Sequence, residues 1–387
     1  MTRPGRQFLQ IPGPTNVPDR VLQALARPTI DHRGPDFVAL TRELLAGLGP
    51  LFRCRGPVVI FPASGTGAWE AALVNTVAPG ERLLMAETGH FASQWMRLAE
   101  RLGYAVDFLP GDWRDPVDPA AVEAHLAADR ARAIRAVAVV HNETSSGVVS
   151  DIAAIRRAID AAGHPALLLV DTISSLASIP YDHDGWGVDV TVGASQKGLM
   201  LPPGLGFNAV SARALAAAEQ GGAARGYWDW RPVIAGNRAG SFPYTPATNL
   251  LFGLREALRL LDEEGLEQVF ARHARHAEAT RRAVAAWGLE LVCRDPANAS
   301  ATLTAVQLPE GHDADAFRAR VLERFDLALG NGLGRFAGQV FRIGHLGDFN
   351  DLMLCATLSG VEMGLDLAAI PRAGSGVEAA LAALSAA

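Results

Sequence analysis

The chain has 387 residues, 49% of them hydrophobic and 20% charged, with a formal net charge of −6 at pH 7. That is more apolar material than one compact core holds, so two domains are expected, and the acidic balance lacks the basic excess of a nucleic-acid binder. The N-terminus has no apolar h-region, the longest apolar stretch is broken by Asp171 and Ser174, and Cys54, Cys293 and Cys355 form no CxxC pair; neither a signal peptide, a membrane span, a zinc site nor a disulfide framework is expected, and a cytoplasmic location with reduced thiols is.

Residues 11–18 are rich in Pro and Gly and read as an arm leading into a helix over 19–26. From residue 57 a rhythm sets in. Short apolar runs predict strands at 58–61, 82–85, 105–109, 136–140, 167–170, 188–192 and 207–210. Between them, helical spacing occupies 65–78, 91–102, 122–128 and 152–162. Short apolar strands alternating with amphipathic helices predict an α/β large domain with a mostly parallel sheet covered by helices on both faces. After residue 250 the pattern changes to long helices over 250–263 and 266–287, strands at 301–308 and 340–343, and helices over 314–325 and 351–365. This predicts a smaller C-terminal α+β domain. The expected division is an N-terminal arm at 1–20, a large domain at 21–260 and a small domain at 261–387. His273 and His276 stand among Arg and Ala on the helix over 266–287 and read as part of a solvated face.

Ligands of open α/β sheets gather at the carboxyl ends of the strands, so the residues that follow each strand matter most. The first strand delivers Ser64-Gly65-Thr66-Gly67 at a helix start, where backbone N–H groups, hydroxyls and the helix dipole suit a phosphate; an ordinary N-cap reads equally well. The strand at 136–140 delivers His141-Asn142-Glu143-Thr144. Asp171 ends a run of four apolar residues, and so buried a carboxylate needs a partner: either a turn that it caps, or the protonated nitrogen of a pyridine ring. Lys197, beside another strand tip and flanked by Gly198 and Leu199-Met200-Leu201, is an amine whose desolvation favours Schiff-base chemistry over the usual solvated charge. Arg342 alternates with Phe341 and Ile343, which puts it on the opposite strand face; it serves either an internal salt bridge or a bidentate clamp on a substrate carboxylate. The cluster Tyr227-Trp228-Asp229-Trp230 reads as a loop packing against another subunit.

These residues resemble class V (fold type I) aminotransferases, in the serine–glyoxylate and alanine–glyoxylate branch, over nearly the whole chain. The motifs that carry the resemblance are Ile11-Pro-Gly-Pro-Thr-Asn-Val-Pro, Ser64-Gly-Thr-Gly, His141-Asn-Glu-Thr, Leu169-Val-Asp-Thr, Gly193-Ala-Ser-Gln-Lys-Gly, Pro243-Tyr-Thr-Pro and Phe341-Arg-Ile-Gly-His-Leu-Gly. The resemblance implies pyridoxal 5′-phosphate as cofactor, bound covalently to Lys197, which also moves the proton. It implies that Asp171 pairs with the pyridine nitrogen, that Ser64, Gly65, Thr66 and Gln196 hold the phosphate, and that Thr144 meets the 3-hydroxyl. Phe91 stands where relatives stack a Trp on the ring, and Thr66 where some have His. Arg342 grips the substrate carboxylate, Gly13 and Pro14 line a small pocket, and Tyr244 and Thr245 reach the cofactor of the neighbouring subunit in a homodimer. The implied reaction moves an amino group from L-serine, or L-alanine, to glyoxylate by ping-pong kinetics. Aspartate or 3-hydroxyaspartate as donor is the alternative, with His32 or Arg33 as a second cation. Cysteine desulfuration and a non-catalytic binding role on a relic fold are the remaining rivals.

Overall fold

The computed structural model describes residues 5, 7–221 and 223–386. In chain order its strands are β1 (Phe8–Gln10), β2 (Val58–Ala63), β3 (Arg82–Ala86), β4 (Ala105–Leu109), β5 (Ile134–Val140), β6 (Asn142–Glu143), β7 (Val148–Val149), β8 (Leu167–Asp171), β9 (Val190–Ala194), β10 (Gly204–Val210), β11 (Glu290–Leu291), β12 (Leu303–Gln307), β13 (Leu327–Asn331) and β14 (Val340–Gly344). The main sheet has the order β2-β10-β9-β8-β5-β3-β4. Neighbours from β9 to β4 are parallel, and β10 is antiparallel to both β2 and β9. All residues of β8 and β9 are buried, because helices cover both faces. Leu169 and Val192 pack on one side with Trp69 and Trp95, while Leu168 and Val170 pack on the other with Ile155 and Ile159. Strands buried on both faces have no solvent-facing side to alternate with, hence the unbroken apolar run Leu167–Val170 of β8.

This topology sends the C-terminal ends of β2, β5, β8 and β9 to one edge of the sheet. The second sheet, β1-β13-β14-β12-β11, is antiparallel except where β1 lies parallel to β13, with Phe8 opposite Leu327 and Gln10 opposite Leu329. The N-terminal segment is thereby tied to the C-terminal part of the chain. It then runs through Ile11–Pro14 towards the edge of the main sheet.

Three readings need correction. Residues 35–52, unassigned above, form a helix (Pro35–Phe52) that buries Phe37, Leu40, Leu44, Leu48 and Leu51 at the three- and four-residue spacing of an amphipathic face. Strand β13 also went unassigned, because its five residues end in glycine and asparagine. His273 and His276 do not face solvent: both are fully buried in the helix Leu266–Trp287. Three of their four ring nitrogens find partners, His276 Nδ1 being the exception among the described residues. His273 Nδ1 lies 2.7 Å from the Val269 carbonyl, its Nε2 accepts from the Gly347 amide at 3.1 Å, and His276 Nε2 pairs with Asp351 at 2.8 Å.

Burial holds several imidazoles neutral. It lowers His141 and His183 to about 4 and His273 to about 3, and it lowers His276 and His345 as well. The unfolded chain binds these protons from about pH 6.5 downward, whereas the fold resists them, so stability falls as pH drops below that value. At pH 5.5 each of His141, His183 and His273 costs roughly 1 kcal/mol. The urea midpoint is expected to fall clearly between pH 7.5 and 5.5; an unchanged midpoint would contradict this account.

Candidate active site

Four strand tips and the N-terminal arm enclose a cavity of about 270 Å³. After β2, Ser64 takes extended backbone and precedes the helix Gly65–Thr76 without bonding its own cap. Its hydroxyl is therefore not spent on the helix, and the leading N–H groups carry the positive end of the dipole. A Cβ on Gly65 would lie 2.3 Å from Ile173 Cδ1, so a larger residue at the helix start would have to displace that side chain from the cavity wall.

β8 presents Asp171, 4% exposed. Its Oδ1 accepts from the Ile173 amide at 2.6 Å and its Oδ2 from the Trp69 indole N–H at 3.0 Å. Burial pushes the carboxyl up to about 7, against the pull of those two donors and of Lys197. A cation arriving beside it would restore the charged form.

β9 leads to Gln196 and Lys197. Lys197 is buried, and desolvation together with Arg342 lowers its amine to about 8, with Asp171 pulling the other way. The arm holds this lysine closely. The amine donates to the Pro12 carbonyl, the Thr15 hydroxyl donates to the Lys197 carbonyl at 3.1 Å, and the Thr15 amide donates to the Gln196 carbonyl at 3.2 Å. Gly13, at φ +94°, lies so near that a Cβ there would be 2.4 Å from Lys197 Cδ. Gln196 Oε1 is buried without a partner among the described residues.

Opposite lies the helix His90–Arg101. The buried Glu143 carboxylate accepts from the amides of Phe91 at 3.3 Å and Ala92 at 3.1 Å, and from the Ser145 hydroxyl at 2.7 Å. Glu143 thus caps this helix and sets Phe91 in the cavity wall. Trp95 is fully buried and stacks on Trp69, with centroids 5.7 Å apart; the aromatic facing the cavity on this helix is Phe91. Thr144 completes the wall, its hydroxyl donating to Ser174 Oγ at 3.0 Å.

Gly13, Pro14, Ser64, Gly65, Thr66, Phe91, Thr144, Asp171, Gln196 and Lys197 all line the cavity. Arg342 lies behind this lining, 6% exposed. Its Nε donates to the Asn331 carbonyl at 2.7 Å and its Nη1 to the Thr144 carbonyl at 2.8 Å. Burial lowers it to about 10. No carboxylate of the described residues pairs with it, so the internal salt bridge considered from the sequence is not what holds it. Tyr244 and Thr245 do not line their own chain's cavity. The Tyr244 hydroxyl donates to the Ile60 carbonyl at 3.3 Å, and Thr245 is exposed. In the nearby aromatic cluster Trp230 is fully buried, with its indole donating to Asn208 at 3.1 Å, while Tyr227 is well exposed.

Sequence reasoning missed two residues here. Trp69 is four positions after Gly65, hence on the same helix face; that spacing was a usable signal. Glu143 gave none beyond its place in the His141-to-Thr144 motif.

The class V aminotransferase family model matches residues 8–333. The chain belongs to this family. It is 50% identical over 385 residues, 98% of this chain and 96% of the relative, to a protein of Methylorubrum extorquens named serine–glyoxylate aminotransferase. It is 44% identical over 372 residues, 96% of this chain and 94% of the relative, to a Paracoccus denitrificans protein named L-aspartate–glyoxylate aminotransferase. The crystal structure of an alanine–glyoxylate aminotransferase from Nostoc superposes with a TM-score of 0.87 at 31% identity, over 94% of this chain and 97% of that one. Within this aminotransferase, none of the three cysteines lines the cavity, which removes the nucleophile that desulfuration needs. His32 and Arg33 do not line it either. No helix of the described residues is long and apolar enough to cross a membrane.

Proposed function

We propose that this aminotransferase binds pyridoxal 5′-phosphate through Lys197 and moves the amino group of L-serine, or L-alanine, to glyoxylate, yielding glycine and hydroxypyruvate, or pyruvate. The observation that carries this reading is the meeting of Asp171 and Lys197 in one cavity, in front of a buried Arg342 that has only carbonyl partners. The donor set fits the cofactor. Ser64, Gly65 and Thr66 offer a hydroxyl-lined helix N-terminus for the phosphate, and the unpartnered Gln196 amide, turned over, adds an N–H donor. Asp171 suits the pyridine nitrogen, Phe91 a ring face, and the Thr144 hydroxyl the ring oxygen. When bound, pyridoxal phosphate supplies an electron sink for the pair left at the substrate α-carbon.

The protein's own part is proton transfer and positioning. Lys197 Nζ, with its affinity for protons lowered towards neutrality, takes the proton from the α-carbon and returns it further along the reaction. Arg342 holds the substrate carboxylate, the one anion that its burial calls for. Gly13 and Pro14 leave room for a small side chain only. Tyr244 and Thr245, which do not line their own chain's cavity, serve the partner subunit of a homodimer. The division into an arm at 1–20, a large domain at 21–260 and a small domain at 261–387 frames the site between the two sheets. Three unpaired cysteines agree with a cytoplasmic location.

Changing Arg342→Ala is expected to lower kcat/KM for serine and for glyoxylate alike, by on the order of 100-fold, the loss typical when one partner of a buried charge pair is truncated. A fall for the donor alone would show that the carboxylate is held elsewhere. The function itself is tested by the visible spectrum of the cofactor-loaded protein, titrated with L-serine, L-alanine and L-aspartate in the absence of acceptor. Bleaching by serine or alanine with recovery on glyoxylate is the expected result. Bleaching by aspartate alone would replace the proposed donor with the one in the Paracoccus relative's name.

A further inference from the structure

We propose that Cys54, His183 and Asp184 form a binding site for a zinc-like divalent transition-metal ion, at the edge of the main sheet opposite the active site. Cys54 precedes β2, and His183 and Asp184 precede β9, so the three sit where those strands begin rather than where they end. Two backbone hydrogen bonds bring the segments together: the His183 amide donates to the Phe52 carbonyl and the Asp184 amide to the Arg53 carbonyl, each at 3.2 Å. The sulfur, the imidazole nitrogen and the carboxylate oxygen then lie within 4.8 Å of one another.

Each donor is prepared in a different way. The His183 ring is fully buried, its Nδ1 lies 2.7 Å from the Thr191 hydroxyl, and its Nε2 has no partner among the described residues. A buried ring nitrogen without a partner is uncommon, and a second-shell bond to the other nitrogen is how proteins aim an imidazole at a metal. The Cys54 thiol is buried and outside any disulfide; burial pushes it up to about 11 against the backbone hydrogen bonds of Gly56 and Val210, so it is a thiol until a metal displaces its proton. Asp184 is the most solvent-facing donor, and its Oδ2 accepts from the Arg55 amide at 3.1 Å, which holds the carboxylate beside Cys54. The same oxygen accepts from the Arg55 guanidinium at 2.8 Å, but that side chain is 92% exposed, and exposed pairs hold weakly. Sulfur, nitrogen and one carboxylate, with the carboxylate side open to water, match the ligand preferences of zinc and disfavour magnesium or calcium. Binding would release the Cys54 thiol proton to solvent. The sequence concealed the cluster because Cys54 and His183 come from distant segments and belong to no local spacing.

The test uses cofactor-loaded enzyme, stripped of adventitious metal and dialysed against zinc chloride. The expected result is one zinc per chain surviving gel filtration. Cys54→Ser and His183→Gln should each lose it while keeping transaminase activity, since neither residue lines the active-site cavity. The surface variant Asp184→Asn, which leaves the core untouched, should bind zinc at least about tenfold more weakly. With cobalt(II), the difference spectrum between the wild-type protein and Cys54→Ser should show thiolate-to-metal charge transfer, with the cofactor's own absorption cancelling. No zinc above the level of the variants, or zinc retained by both core variants and by Asp184→Asn, overturns the proposal.

Discussion

Lys197→Ala is expected to reduce turnover of serine with glyoxylate by about 10³-fold or more, within the range attributed to a positioned general base. The same variant should no longer be labelled when borohydride is added to the cofactor-loaded protein, because the only buried amine of the cavity is gone. The physical case rests on how the chain treats this lysine. A surface lysine stays protonated to about pH 10; this one is buried, faces Arg342, and comes down to about 8. It therefore supplies a neutral amine near physiological pH. Lys197→Arg should not rescue: a guanidinium stays protonated, and Gly13 leaves no space for a broader head. Substantial turnover in Lys197→Ala would mean that some other group moves the proton.

Asp171 was legible because it ends an unbroken apolar run, and a charge ending such a run must sit at a strand tip; Lys197 was legible because it follows closely on the next buried strand. The main sheet was legible for the same reason: β5, β8 and β9 are buried on both faces, so they carry no competing pattern. The residues that refine the site were not. Glu143 acts by capping a helix that starts 53 residues earlier in the chain, at His90, a relation set by packing alone. The parallel pairing of β1 with β13 joins the two ends of the chain, and nothing in Phe8–Gln10 names its partner. His273 and His276 were misjudged because helix periodicity assigns a face but does not say what covers it; here the loop after β14 does, through Gly347, together with Asp351 at the start of the helix Asp351–Leu367. The exposed position of Thr245 is consistent with the subunit contact that the resemblance implied, which dilution to monomer with loss of cofactor affinity would test.

Asp171→Asn is expected to lower kcat by on the order of 10³, the scale of losing one preorganised electrostatic partner in a desolvated site. The amide is nearly isosteric but keeps a single acceptor oxygen, so only one of the two donors, the Ile173 amide or the Trp69 indole, retains its partner, and it cannot be anionic beside a protonated ring nitrogen. Trp69→Phe separates this effect from packing. The phenyl ring can keep the stack on Trp95, while the indole donor to Asp171 Oδ2 disappears. That donor favours the charged carboxylate, so its loss raises a group that burial has already pushed to about 7. Asp171 is neutral below its folded value and ionised above it, and Lys197 becomes a free amine only as pH rises through about 8. Cofactor capture by the apoprotein should therefore strengthen from pH 6 to 8.5. In Trp69→Phe the acid limb of that profile should move to higher pH, with activity at neutral pH about tenfold lower. A purely structural Trp69 would instead lower the urea midpoint and leave the limb in place, and then the indole would be a core residue rather than the group that keeps the carboxylate charged.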